Sequence, residues 1–87
     1  MEFEYDPNKS KSNKLKHDID FEESKALWFD VNRLEVQAKS DDESRYALIS
    51  VCNEKLWTAF YTIREGRIRI ISVRRSRKGE RRLYHES

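Results

Sequence analysis

LWTAFYTIREGRIRIISVRRSRKGERRLY, residues 56–84, is the stretch whose reading decides the fold. Two apolar-rich runs, 57–63 and 68–73, flank Arg64-Glu65-Gly66-Arg67. Gly66 can adopt the positive φ that a short hairpin loop with a bulge requires, so the runs read as two antiparallel strands. The second run carries Ile68, Ile70, Ile71 and Val73, β-branched side chains that suit a pleated surface. Arg67, Arg69, Arg74, Arg75 and Arg77 are interleaved with them or follow directly. A strand bearing both core residues and guanidinium groups reads as facing a hydrophobic layer on one side and a polyanion on the other. Alternation alone does not sort the arginines. It puts Ile68, Ile70, Ser72 and Arg74 on one side, with Arg67, Arg69, Ile71, Val73 and Arg75 on the other. A twist or bulge near Ser72 would re-aim the last residues.

Outward from the hairpin, residues 45–52 (RYALISVC) read as a strand that Asn53-Glu54-Lys55 turns into it. Residues 33–38 (RLEVQA) read as another strand, and 39–44 as a charged loop. Four consecutive strands with short connections predict an antiparallel meander, with Phe3-Glu4-Tyr5 a candidate fifth, short edge strand. Asp6 as cap and Pro7 at the first helical position predict a helix over 8–16. It is polar almost all round, with Leu15 as its main apolar contact and Lys9, Lys11, Lys14 and Lys16 as a second basic surface. Asp20 and Glu23 have capping-box spacing and predict a second helix over 21–29. Phe21, Ala26, Leu27, Trp28 and Phe29 give that helix its apolar face, with Trp28 and Phe29 assigned to the core. A short basic helix follows the hairpin, with Ser76 as its candidate cap. The expected class is α+β, a twisted sheet with helices on one face, in a single domain spanning residues 1–87.

Composition bounds what such a domain can do. Of 87 residues, 37% are apolar and 39% charged, which is enough core to fold without staples and much charged surface. The net charge of +2 conceals an asymmetry. Residues 1–63 hold nine Lys/Arg against thirteen Asp/Glu, net −4, whereas residues 64–87 hold nine against three, net +6. Such a distribution focuses positive potential on one face, where it attracts phosphates. Charge runs are ordinarily just solvated surface, but this one is almost all Arg, the side chain suited to bidentate phosphate recognition. The lone Cys52 excludes a disulfide framework and a multi-cysteine metal site, and reads as a small core residue. No apolar run is long enough for a membrane span, and the opening MEFEYDPNKS does not read as a signal peptide. A soluble cytoplasmic domain is expected.

Neither a phosphate-binding glycine loop nor a dinucleotide pattern nor a nucleophile motif is present. The residues suit phosphodiester chemistry that calls for no metal and no cofactor. RNA cleavage by the 2′-hydroxyl needs a base for that proton, cations for the phosphorane charge and an acid for the departing 5′-oxygen. Arg74 and Arg75, with Arg64 and Arg69 nearby, are candidates for the cations. Arg77 and Lys78 fall in the first turn of the last helix, where cations oppose the helix dipole unless an anion docks there. His17, Tyr61, Tyr84, His85 and the carboxylates are candidates for proton transfer; aromatics beside arginines also serve RNA-binding sheets as stacking platforms.

Two segments carry a family resemblance. FEYDPNKSKSNKLKHDIDFEES (3–24) and YTIREGRIRIISVRRSRKGERRLY (61–84) resemble the opening and closing motifs of BrnT-type toxins, and between them the match spans nearly the whole chain. Asp18 stands where glycine is commoner in that family, and Val73 and Ser76 replace alanines. The resemblance implies a RelE-like fold and an endoribonuclease toxin of a type II toxin–antitoxin module that arrests translation and growth. It implies neutralisation by a BrnA-type ribbon-helix-helix antitoxin, the complex binding operator DNA. His17, Arg64, Arg69, Ser72, Arg74, Arg75 and Tyr84 match the family's positions. On this reading Arg64, Arg74 and Arg75 hold phosphate and transition-state charge, and His17 moves the proton, with Tyr61 and Tyr84 as stacking or acid–base alternates. Arg67, Arg69, Ser72, Arg77, Lys78 and Tyr61 make up the expected RNA-contacting set. A non-catalytic nucleic-acid-binding module using the same arginines is the competing reading, and a basic face that serves only to receive an acidic partner is a third.

Overall fold

Paired residues with positive φ make both tight turns of the sheet. Asn53 and Glu54 (φ 51° and 64°) form one and Glu65 and Gly66 (φ 50° and 78°) the other. Two consecutive left-handed residues are the turn whose twist matches that of the flanking strands. The hairpin loop is therefore two residues long, and the bulge expected within it lies elsewhere. The computed structural model describes residues 1–38 and 43–87; of the charged loop read over 39–44, residues 39–42 lie outside them.

The elements run β1 (Phe3–Glu4), α1 (Pro7–His17), α2 (Phe21–Ser24) continuing as a 3-10 turn (Lys25–Phe29), β2 (Leu34–Ala38), β3 (Arg45–Cys52), β4 (Lys55–Arg64), β5 (Arg67–Arg75) and α3 (Lys78–Glu86). This is an α+β chain whose five strands lie in the order β1-β5-β4-β3-β2. Strands β2 to β5 pair antiparallel, but β1 runs parallel to β5, so the sheet is mixed. The physical reason is the connection: β1 is followed by helices and β2–β4 before the chain returns beside it, and no hairpin joins the pair.

Between Phe60 and Tyr61 the β4–β5 register slips by one residue: Phe60 faces Ser72 while Tyr61 faces Ile70, leaving Ile71 unpaired. That bulge resolves the ambiguous alternation. Ile68, Ile70, Val73 and Arg75 come to one face, while Arg67, Arg69, Ser72 and Arg74 come to the other. The first face carries the core, where Ile19, Phe21, Leu27 and Trp28 pack on Leu48, Trp57, Ala59, Tyr61, Ile70 and Val73. Trp28 meets Phe3 and Tyr61 edge-on at 5.1 and 5.4 Å, geometries the ring quadrupoles favour.

Two apolar assignments change. Leu15 is 89% exposed and Phe29 73% exposed. Phe29 points outward because the tighter 3-10 turn after Ser24 rotates it away from the sheet while keeping Leu27 and Trp28 inside. Leu15 is not the contact of α1, because that helix is held by polar side chains. Ser10 Oγ accepts from Phe21 N at 2.9 Å, and the amide of Asn13 reaches Val73 in the sheet.

Candidate active site

Capping starts α1 and an edge contact aims it. Asp6 Oδ1 accepts from Asn8 N at 2.9 Å, and Pro7 takes the first helical position, where its missing N–H costs nothing. β1 covers the edge of β5 only at Ile68 and Arg69. Further along that edge, Asn13 takes the place of a strand. Its Nδ2 donates to Val73 O at 2.9 Å and to Ile19 O at 2.8 Å, and its Oδ1 accepts from Val73 N at 3.2 Å. This bridge delivers the last turn of α1 to the exit of β5.

There a cleft of about 560 Å³ opens, lined by Lys14, Leu15, Lys16, His17, Asp18, Lys55, Trp57, Arg74 and Arg75. His17, Arg74 and Arg75 are thus brought together from segments nearly 60 residues apart. Lys55 enters because the antiparallel hairpin sets the start of β4 beside the end of β5, with Trp57 opposite Arg75. Hairpin register is the sequence signal that points to Lys55, which lies outside the expected set.

Ion pairing divides the cations sharply. Arg64 faces Glu43 at 3.5 Å, Arg67 faces Glu2 at 3.6 Å, Arg69 binds Glu4 at 2.8 Å and Lys14 binds Glu23 at 2.9 Å. Arg74 is paired too, with Glu80 at 2.8 Å. Lys16, Lys55 and Arg75 have no carboxylate partner among the described residues. The Arg75 guanidinium lies over the Trp57 ring at 5.5 Å, a support that orients the cation without neutralising it. A phosphate placed in the cleft would meet these three charges without breaking an ion pair.

The rest of the expected set lies elsewhere. Arg64 sits at the hairpin tip, six residues along β4 from the partner of Arg74, or roughly 20 Å away. Tyr61 is buried in the core, its hydroxyl donating to Glu35 Oε1 at 2.6 Å; burial, then that carboxylate, push its pKa up. Its ring offers no open face for a base. Tyr84 donates to Asp30 Oδ2 at 2.7 Å, away from the cleft, and burial together with Asp30 pushes its pKa up to about 12. Ser72 is half-buried on the face opposite the core, and Arg77 and Lys78 are exposed at the start of α3.

Ser76 is not the cap of α3. It is buried, with its Oγ 2.9 Å from Thr58 Oγ1. The anion at that helix end is internal: Glu80 accepts from Arg77 N at 2.8 Å, so the cations of the first turn oppose no bare dipole. Glu80 also takes both Arg74 Nη1 and Nη2 at 2.8 Å and Thr58 Oγ1 at 3.0 Å. The Arg74 pair, supported by the Arg77 amide and Thr58, lowers its pKa to about 2 against an ordinary 4.5. A depressed carboxylate stabilises above its unfolded-state pKa and loses that contribution as pH falls through the folded one. Stability should therefore drop by about 2–3 kcal/mol between pH 5 and pH 2, measured as urea midpoints, and Glu80→Gln should lack that part of the slope.

Asp18 closes α1 in the left-handed region (φ 63°), its N–H donating to Lys14 O at 2.9 Å. Glycine adopts this conformation without the steric penalty, and Asp18 also lines the cleft with the wrong charge for an anion. Asp18→Gly should stabilise the fold by roughly 0.5–1 kcal/mol in denaturant titration and tighten RNA binding at low salt.

Among the described residues no helix is long and apolar enough to cross a membrane. Comparison with individually curated proteins gives no match. The comparison with protein families does: the model of the ribonuclease toxin BrnT of type II toxin–antitoxin systems matches residues 5–80, from the end of β1 to the Glu80 that holds Arg74. With most of its length inside that match, from α1 through β5 into the first turn of α3, the chain belongs to the BrnT family of ribonuclease toxins.

Proposed function

We propose that the chain is an endoribonuclease that cuts RNA in the cleft between the end of α1 and the exit of β5, using its own cations rather than a metal. The observation that carries this reading is the convergence of His17 with Lys16, Lys55 and Arg75, three cations without acid partners among the described residues. Arg75 faces the scissile phosphate and takes the charge that grows on the phosphorane oxygens, while Lys16 and Lys55 hold the flanking phosphates. His17, exposed at the helix end, moves the proton of the 2′-hydroxyl or supplies the one the 5′-oxygen needs. Arg64 and Arg67, at the far end of the hairpin, fit a track for the rest of the RNA better than the reacting phosphate. Type II membership implies an antitoxin and an RNA target. We assign the antitoxin to the BrnA type, with a ribbon-helix-helix segment through which the complex binds operator DNA, and we take the fold to be RelE-like and the site of action to be the cytoplasm.

The test is a gel assay of purified, antitoxin-free protein on a defined naked RNA with EDTA present, beside Arg75→Ala. Cleavage by the wild type alone supports the reading. Cleavage that appears only when ribosomes are added keeps the enzyme and changes its substrate. Salt-dependent binding without cleavage in either tube would favour a non-catalytic RNA-binding module.

A further inference from the structure

We infer that Glu80 is a positioning residue for RNA cleavage: it holds the end of the Arg74 guanidinium so that the Nε–Nη2 edge is presented to a phosphate. The inference rests on the reading of the cleft above. It starts from the five N–H donors of a guanidinium, which form a planar fork with an end and a side. Glu80 occupies the end, with Nη1 and Nη2 each 2.8 Å from a carboxylate oxygen. Nη1 donates its other hydrogen to Arg75 O at 3.2 Å. One face of the plane lies over the Phe60 ring at 5.2 Å. What remains is the side carrying Nε–H and the outer hydrogen of Nη2, two parallel donors spaced for two phosphate oxygens. Arg74 lines the cleft, and among the described residues no hydrogen bond engages its Nε.

Glu80 is itself held. Its Oε1 accepts from the Arg77 amide and from buried Thr58, so the carboxylate is fixed to both α3 and β4 before it touches Arg74. A carboxylate on a flexible loop would neutralise Arg74; one anchored at two other points orients it. The pair therefore divides the work with Arg75. Arg75 brings unneutralised charge, and Arg74 brings a fork of fixed direction, which tells in the transition state, where geometry is strictest.

The experiment is a double-mutant cycle on single-turnover cleavage with wild type, Glu80→Gln, Arg74→Ala and the pair. Glu80→Gln keeps an oxygen for the Arg77 amide but loses the carboxylate end-pair. It should lower the maximal rate about 10- to 100-fold with KM changed less than threefold, and should cost less than twofold when Arg74 is already alanine. Equal losses in both backgrounds, in step with loss of thermal stability, would make Glu80 merely structural and overturn the inference. Glu80→Asp, which keeps charge and helix cap but withdraws the end-pair, supplies the comparison should the glutamine variant fold poorly.

Binding gives a readout separate from catalysis. On titration with an oligonucleotide lacking the reactive 2′-hydroxyl, the Arg74 Nε–H resonance should shift in the wild type and stay put in Glu80→Gln. The same shift in both proteins overturns the positioning role. Failure of the wild type to cleave any RNA would instead overturn the functional reading on which it rests.

Discussion

Arg75→Ala is expected to lower the rate of RNA cleavage at saturating substrate by about 10²–10³-fold while leaving the fold in place. The size follows from what Arg75 lacks. Every other arginine of the β4–β5 hairpin has a carboxylate within 4 Å, so removing one deletes a charge already partly cancelled. Arg75 carries its charge into the cleft without a carboxylate partner among the described residues, lying over the Trp57 ring. A donor aimed at developing oxyanion charge contributes about 3–4 kcal/mol to the barrier, far above the effect of a screened surface cation. The stability cost should stay under about 1 kcal/mol, because Arg75 is exposed and loses only its contact with Trp57. RNA affinity should weaken with a salt slope smaller by about one, as for loss of one phosphate contact. Arg67→Ala, at the far end of the strand and paired with Glu2, is the matched control and should change the rate less than tenfold. Single-turnover rates with urea midpoints decide it. Wild-type cleavage by a folded Arg75→Ala protein would remove Arg75 from the site.

Asn13→Leu is expected to destabilise the protein by about 3 kcal/mol, the largest effect of any polar substitution in α1. Asn13 is 6% exposed and satisfies three backbone groups: Val73 N–H, Val73 C=O and Ile19 C=O. Leucine fills similar space but leaves all three buried and unpaired, at roughly 1–3 kcal/mol each before relaxation. For a domain of this size the loss should lower Tm by about 12–20 °C. The same substitution releases the last turn of α1 from β5, so activity should fall even at temperatures where the variant is folded. Leu15→Ser, two residues away on the same helix, should move stability by less than about 0.5 kcal/mol because Leu15 packs on nothing. Differential scanning calorimetry of the two variants gives opposite answers to whether α1 is held by its apolar or its polar residue.

That contrast shows which parts of the structure were legible in the sequence. Signals carried by neighbours were readable: the Asp6-Pro7 start, the Asp20–Glu23 box and the strand bounds around Gly66 depend on residues within four positions of one another. The α+β class followed from them. Relations across the chain were not readable. The parallel pairing of β1 with β5, Glu4 on Arg69 and Asn13 on Val73 join residues 60 or more positions apart, and no local pattern announces them. Local pattern reads an apolar residue on a short helix as a core contact, as at Leu15 and Phe29, whereas both face solvent in the fold. The cleft was half legible. Its arginines stood out by number, but whether each was neutralised depended on carboxylates elsewhere, and that separates Arg75 from Arg64, Arg67 and Arg69.

One unpaired residue sets the phase in which the end of β5 is displayed. The slip at Ile71 keeps Val73 on the core face with Ile68 and Ile70, and it carries Arg75 to the cleft on that same face. With strict alternation Val73 would turn out of the core and Arg75 would face α3, within reach of the carboxylate that now engages Arg74. Ile71 acts as a frame shift written in backbone rather than in codons. It lets one continuous strand serve two surfaces whose periodicities disagree, and it decides which of two adjacent arginines keeps its charge.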